Sequence, residues 1–360
     1  MDNICDKYSE VLYDDAVQLL KGMIAIPSVS RQEQGTAQLI ADFMARHGIE
    51  NVQRHLNNVW AVNRYYDPNK PTILLNSHHD TVKPNSAYTR DPYAATVEGD
   101  RLYGLGSNDA GASGVSLLAA FRHFYDRKDL KYNLCIALTA EEENSGSGGL
   151  ESIIPMLGPL EFAIVGEPTL MQLAIAERGL IVIDCVAHGR AGHAAREEGD
   201  NAIYKAMRDI EWFRTYRFPL ESELFGAVKM TVTIISAGSQ HNVVPAECRF
   251  TVDIRVTDRY TNEQVVDIIR KHVECEVIPR STRLKPSSIS PEHEIVKAGL
   301  ALGRTTYGSP TTSDQALLDI PSLKLGVGDS ARSHSADEFV HLSEIRQGIG
   351  LYIAMLGRIM

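Results

Sequence analysis

The sequence predicts an α/β protein: a mostly parallel sheet with helices on both faces, interrupted by an inserted ferredoxin-like α+β domain. Three observations carry that expectation. Short apolar stretches alternate with helical patterns through the first 173 residues. Between residues 174 and 284 the order changes to β-α-β-β-α-β. A single core rarely grows past roughly 250–300 residues, so a chain of 360 residues asks for two domains.

Taken in order, residues 11–24 and 35–48 carry helical periodicity. Thr72–Asn76, Leu134–Thr139 and Phe162–Val165 are apolar runs of the length of buried strands. A helix over roughly residues 115–126 follows Gly111 and Gly114. Strands separated by helices imply parallel neighbours, because a parallel pair needs a crossover connection. In the inserted stretch, Leu180–Ala187 reads as a strand and Asn201–Phe213 as a helix. Val228–Ser236 and Cys248–Val256 read as strands on either side of the turn-rich SAGSQHNVVPAE. Thr261–Glu274 is the second helix, with Thr261 and Gln264 spaced as a capping box, and Cys275–Pro279 the last strand. This order is the split βαβ pattern, which can close on its own. The expected division is therefore 1–173 with 285–360 as one domain and 174–284 inserted into it. The chain ends in a helix from Ser343, with Ile345, Ile349 and Ile353 four apart.

Composition narrows the function classes. With 44% hydrophobic and 23% charged residues the chain is an ordinary globular protein. Its net charge of −10 argues against nucleic-acid binding. No run approaches the ~18 apolar residues that span a bilayer. The start, MDNICDKYSE, has no basic segment leading into an apolar one, so no signal peptide is expected. Cys5, Cys135, Cys185, Cys248 and Cys275 are scattered and form no CxxC pair, so buried thiols and a cytoplasmic location are expected.

The chemistry sits after the strands. TILLN runs into SHHDTV, where His78 and Asp80 are two apart and project to one side of an extended segment. CIALT runs into AEEEN with Glu141, Glu142 and Glu143, and FAIV runs into GEPT with Glu167. Asp109 lies in the glycine-rich LYGLGSNDAGASG ahead of a helix. Any one such residue is more often a solvated loop side chain. Their joint placement at the carboxyl ends of successive strands, where open α/β sheets bind ligands, points to a shared site. That many carboxylates repel one another unless a multivalent cation is bound among them.

SHHDTV, GLGSNDAGASG, TAEEENSGSGG, VGEPT, GRAGHAA, HNVVPAE and SHSADE occur in that order. Through them the chain resembles the dinuclear-zinc aminoacylase and carboxypeptidase family, acetylornithine deacetylases and succinyl-diaminopimelate desuccinylases above all. The resemblance covers nearly the whole chain and implies a zinc-peptidase-like catalytic domain with a lid domain that often dimerises. It implies two Zn2+ per chain, with Co2+ as a substitute. His78 and Glu167 would bind one ion and Glu143 and His334 the other, with Asp109 bridging. Asp80 would orient His78, Glu142 would be the general base, and His193 of GRAGHAA would stabilise the oxyanion. Arg178, Asn242 and Arg255 match positions that contact substrate, and Thr312 and Ser330 are further candidates. Within the triple glutamate, taking Glu143 as ligand places Gly148 five residues on, where the family has glycine; taking Glu142 would place Ser147 there.

Two departures stand out. Ser77 replaces the usual glycine before His78, and GLGSND lacks the arginine that commonly follows the first glycine. Neither removes a ligand. The resemblance implies hydrolysis of a small N-acyl amino acid, as in acetylornithine deacetylation for arginine synthesis, by a homodimer joined through the lid. The rivals are a desuccinylase of N-succinyl-ornithine, N-succinyl-citrulline or succinyl-diaminopimelate, a dipeptidase or carboxypeptidase, and a non-catalytic metal-dependent binding protein. The presence of Glu142 argues against the last.

Overall fold

A computed structural model describes residues 2–196 and 198–360, which divide into two compact units. The first comprises Met1–Ile175, Ile289–Tyr307 and Ser313–Met360, and the second Ala176–Ser288 with Gly308–Thr312. The short return of Gly308–Thr312 to the second unit is absent from the division expected from sequence.

The first unit is organised by four parallel strands in the spatial order Asn133–Thr139, Thr72–His78, Phe162–Val165 and Ser322–Lys324. Asn58–Val62 extends one side and Leu173–Glu177 the other, both antiparallel. Side chains alternate between two cores, as the two-residue strand period requires. Ile73, Leu75, Leu134, Ile136, Leu138, Phe162 and Ile164 face one core; Leu74, Cys135, Ala137, Ala163 and Val165 face the other. Burial on both faces explains why these strands read as continuous apolar runs.

The faces are covered unequally. Asp2–Ile24, Gln34–Arg46, Ala112–Phe124 and Leu342–Leu356 contribute buried side chains to the first core. Among the described residues the second face receives the single turn Leu150–Ile153 with Leu157 and Leu318, and Ile154, Leu160, Leu317 and Ile320 pack partly buried against it. Helices on both faces is thus right in kind but lopsided. The helix Ala112–Phe124 is almost wholly buried, with Gly114 3.3 Å from Leu138 for any added Cβ.

The second unit contains Gly179–His188, the helix Ala202–Thr215, Lys229–Ala237, Glu247–Val256, the helix Asn262–Arg270 and Glu276–Pro279. The antiparallel strands lie in the order Lys229–Ala237, Glu247–Val256, Gly179–His188, Glu276–Pro279. This is the ferredoxin-like arrangement. Ile181, Ile183, Cys185 and Ala187 point to one face with Phe250, Val252 and Ile254, beneath Ala206, Phe213, Val265 and Ile269 of the helices. The capping box at Thr261 forms in both directions, Gln264 N donating to Thr261 Oγ1 and Thr261 N to Gln264 Oε1. A cap of this kind stabilises a helix by about 1 kcal/mol.

Candidate metal centre

The ladder fixes where the chemistry emerges. His78 pairs with Thr139, so those two strands end level, while Phe162–Val165 stops opposite Asn76, two residues short, and the chain beyond carries Glu167 on toward the same edge. The chain beyond them delivers His78, Glu142, Glu143 and Glu167 to one edge. Asp109 comes from the distorted turn Ser107–Gly111, and His334 from the loop after Ser330–Arg332.

Two groups of three ligand-type side chains form here, each with its ligand atoms within 4.8 Å of one another. His78, Asp109 and Glu167 make an inner trio; Asp109, Glu143 and His334 make an outer one. His78 Nε2 lies 3.2 Å from Asp109 Oδ1 and 3.7 Å from Glu167 Oε1. His334 Nε2 lies 2.9 Å from Glu143 Oε2 and 3.7 Å from Asp109 Oδ2. Asp109 thus offers one oxygen to each side. One imidazole and two carboxylates per group fit a zinc-type cation with coordination positions left open. His78 Nδ1 lies 3.0 Å from the Asp80 carbonyl oxygen, which can accept a hydrogen bond from Nδ1–H and leave the Nε2 lone pair facing the carboxylates.

Without a cation, the crowded carboxylates and imidazoles shift one another's protonation. Burial opposes a charged His78, but Asp109 and Asp80, with Glu167 and Glu142, outweigh it and hold its pKa well above the ordinary value. Glu143 raises His334 to about 9. Burial, reinforced by Asp109, lifts Glu167 to about 8. Burial also lifts Glu142 well above the usual carboxylate range, with Glu167, Asp314 and Glu143 adding to it. Asp109 moves the other way: burial would raise it, but the hydrogen bond and charge of His78 bring it below its usual value. A bound cation would replace these protons.

Around the trios the glutamates take distinct positions. Glu141 has φ +56° and sends its carboxylate back over its own loop. A Cβ at Gly146 would lie 1.9 Å from Glu141 Oε2, and one at Gly148 2.3 Å from Oε1, so a side chain at either position would displace the Glu141 carboxylate. Glu143 enters the outer trio. Glu142 stays outside both, with Oε2 4.0 Å from His78 Nε2. Asp80 does more than orient His78. Its carboxylate accepts the backbone N–H of Glu142 at 3.1 Å and of Glu143 at 3.2 Å, and the Ser30 hydroxyl at 2.6 Å. His79 points elsewhere: its nitrogens lie 2.9 Å from Thr36 Oγ1 and 2.9 Å from the Asn57 carbonyl, and burial lowers its pKa to about 4.

Two buried carboxylates escaped the sequence reading. Asp314 accepts the Thr139 hydroxyl at 2.9 Å, and burial lifts it to about 6. Glu338 takes backbone N–H groups of the Asp109 loop, and burial together with Asp109 lifts it to about 8. Asp314 lies two residues after Thr312 and Glu338 ends SHSADE; an acidic residue so close to a named candidate was the available signal.

Ser330 lies in the first unit, in a crevice of about 340 Å3 lined also by Pro168, Thr169, Tyr307 and Asp329. The remaining substrate candidates lie in the second unit. Thr312 Oγ1 donates to the Arg178 carbonyl at 3.2 Å and lies 3.5 Å from Arg255 Nη1. Arg255 grips Asp253 through Nε and Nη2 at 2.8 and 3.1 Å. Arg178 donates to the carbonyls of Phe225 and Ala227 and lies over the Phe225 ring. Desolvation and then Arg255 lower its pKa. Gly192–His193 pairs with Val243–Val244, and Ala194 N donates to the Asn242 carbonyl, so His193 and Asn242 are neighbours. His193 Nδ1 accepts from Ala195 N at 3.1 Å, which leaves Nε2 to carry the proton.

Comparison with known proteins places this geometry in context. The sequence pattern of peptidase family M20/M25/M40 matches residues 74–358. The chain is 25% identical over 369 residues to succinyl-diaminopimelate desuccinylase 2 of Ruegeria sp. (strain TM1040), covering 92% of this chain and 91% of that protein. It is 26% identical over 371 residues to succinyl-diaminopimelate desuccinylase of Gluconobacter oxydans (strain 621H), covering 95% and 97%. In fold it is similar to aminopeptidase PepT of Bacillus cereus, with a TM-score of 0.76 at 16% identity over 96% of this chain and 98% of that one. It is also similar to the Bacillus subtilis protein YXEP, described as a dinuclear metal binding peptidase, with a TM-score of 0.74 at 16% identity over 97% and 98%.

Proposed function

From its membership of peptidase family M20/M25/M40, to which this chain belongs, we propose that it is a two-metal deacylase of a small N-acyl amino acid, succinyl being the acyl group. The observation that carries the reading is the pair of trios sharing Asp109, with Glu142 beside them but in neither.

When bound, two divalent cations, zinc or cobalt, supply Lewis-acid polarisation of the amide carbonyl and acidify an attacking water. His78, Asp109 and Glu167 would hold the inner ion, and Asp109, Glu143 and His334 the outer. Glu142 takes the proton of the attacking water and returns it to the departing nitrogen as the amide C–N bond breaks. Asp80 fixes the backbone from which Glu142 and Glu143 project. His193, whose Nδ1 accepts Ala195 N and so leaves the proton on Nε2, is assigned to the developing oxyanion.

Arg178, Arg255 and Thr312 are assigned to a substrate carboxylate, with Asn242 and Ser330 as further contacts. Arg178 is partnered by carbonyls rather than by a carboxylate, while Asp253 already balances Arg255, so the cluster has one positive charge to offer. The desuccinylase names of the relatives favour a succinyl over an acetyl group, and nothing in them favours arginine synthesis. We read the second unit as the dimerisation surface for a second copy. Ile234 and Ile235 on its edge strand and Tyr204 and Met207 on the adjacent helix are all more than half exposed. Sedimentation should give a dimer for the native chain and a monomer for Ile235→Lys. The native chain sedimenting as a monomer removes this assignment. Among the described residues no helix is long and apolar enough to cross a membrane, and we place the enzyme in the cytoplasm.

A kcat/KM panel tests the substrate. N-succinyl-diaminopimelate, N-succinyl-ornithine and N-succinyl-citrulline should exceed their N-acetyl counterparts, N-acetyl-leucine and dipeptides. A preference for N-acetylornithine would restore the deacetylase reading, and one for dipeptides would make the enzyme a peptidase.

A further inference from the structure

Glu338 is only 2% exposed, yet among the described residues no lysine or arginine pairs with it. Its carboxylate is satisfied by backbone alone. Oε1 accepts the N–H of Asn108 at 2.8 Å and of Asp109 at 2.9 Å, and Oε2 accepts that of Gly106 at 3.1 Å. Its own carbonyl accepts Gly104 N at 2.9 Å. The loop it grips has no regular partner: Gly106 is at φ +74°, and Asp109 and Ala110 leave helical geometry. Ser107 and Asn108 are fully buried, so their amides cannot turn to water. A second tie acts beside the first, Asn108 Nδ2 donating to the Asp329 carbonyl and Asp329 N to Asn108 Oδ1.

The loop so fixed carries Asp109, the residue common to both trios. Glu338 also stands four residues after His334, on the segment that supplies the outer imidazole. Both left-handed residues of that segment, His334 and Asp337, flank the approach to it, and Asp337 in turn accepts Thr89 N and Arg90 N. One carboxylate therefore joins the segment of His334 to the backbone of Asp109. The inner trio has firmer support, because His78 ends a central strand and Glu167 follows another by two residues.

We propose that Glu338 is a positioning residue for the outer metal position, holding Asp109 and His334 in register through backbone hydrogen bonds. This rests on the two-metal reading above. Glutamine keeps the size but presents one acceptor and an NH2 group, so at least one of the three loop amides meets a donor. Removing partners that orient metal ligands typically weakens affinity roughly 10–100-fold.

The test is a calorimetric titration of the full-length, metal-free chain with Zn2+, comparing native, Glu338→Gln and His334→Ala proteins. Glu338→Gln should weaken the second binding event roughly 10–100-fold and the first markedly less, because strand ends hold His78 and Glu167. His334→Ala should abolish the second event. Should Glu338→Gln fail to fold, Glu338→Asp keeps both acceptors but draws them back by one methylene, and the same titration decides. Two events at native strength in the folded variant, or equal weakening of both, would overturn the proposal. A native chain with no second event would instead remove the two-metal reading on which it rests.

Discussion

The inner and outer trios share Asp109 but are built differently. His78 is 1% exposed, ends a central strand and has its Nδ1 engaged by Asp80. His334 is 57% exposed and sits on a loop in a left-handed conformation. Strand ends hold ligands rigidly; loops hold them only as well as their own anchors do. The inner position is therefore preorganised and the outer one conditional on the Glu338 clamp and the contacts of Asp337. On the proposed two-metal reading, the outer position is therefore the one whose loss is expected to decide activity.

The largest effect expected is from Asp109→Ala, which removes a ligand from both trios. Metal content after zinc loading and dialysis should fall below one ion per chain, and hydrolysis should fall to background. His334→Ala should retain one. If both substitutions leave the same content, the trios are not joined through Asp109.

Glu142→Gln should keep both ions and lower kcat by roughly 10²–10⁴-fold, the usual cost of losing a general base. Glu143→Gln should lose the outer ion instead. Loss of metal from Glu142→Gln, with loss of activity alone from Glu141→Gln, would shift the assignments by one residue.

A smaller effect is expected in the metal-free chain. Glu167 and Glu338 are raised to about 8 from 4.5, and His334 to about 9 from 6.5. For each group the folded state binds more protons than the unfolded state across this range, so stability falls as pH rises. His79, lowered to about 4, gives the opposite slope only below pH 6.5. Between pH 7 and 9 the Tm of the chelator-treated protein should drop, and zinc should restore it. A rising Tm over that interval would contradict these protonation shifts.

How much of this could be read from the sequence depended on where each side chain finds its partners. Thr72–His78 and Phe162–Val165 were legible because strands buried on both faces are continuous apolar runs. The ligands were legible because they follow those runs directly. Asn58–Val62 and Leu173–Glu177 were not read as strands, being short and flanked by polar segments. Glu338 and Asp314 were invisible as partners because they act on residues about 175 to 230 positions away, and no local periodicity records such a contact. Gly308–Thr312 joins the second unit through five residues, too few to leave a pattern. Arg178 and Arg255 were recognised as cations, but only the fold reveals that Asp253 neutralises one of them and carbonyls hold the other.

Zinc titration of the native metal-free chain tests the central claim most directly. The account predicts two binding events per chain, the tighter at the inner trio, with proton release accompanying binding at pH 7. The release should appear as a dependence of the measured heat on the ionisation enthalpy of the buffer. A single event with one ion per chain, or no binding, would contradict a two-metal centre shared through Asp109.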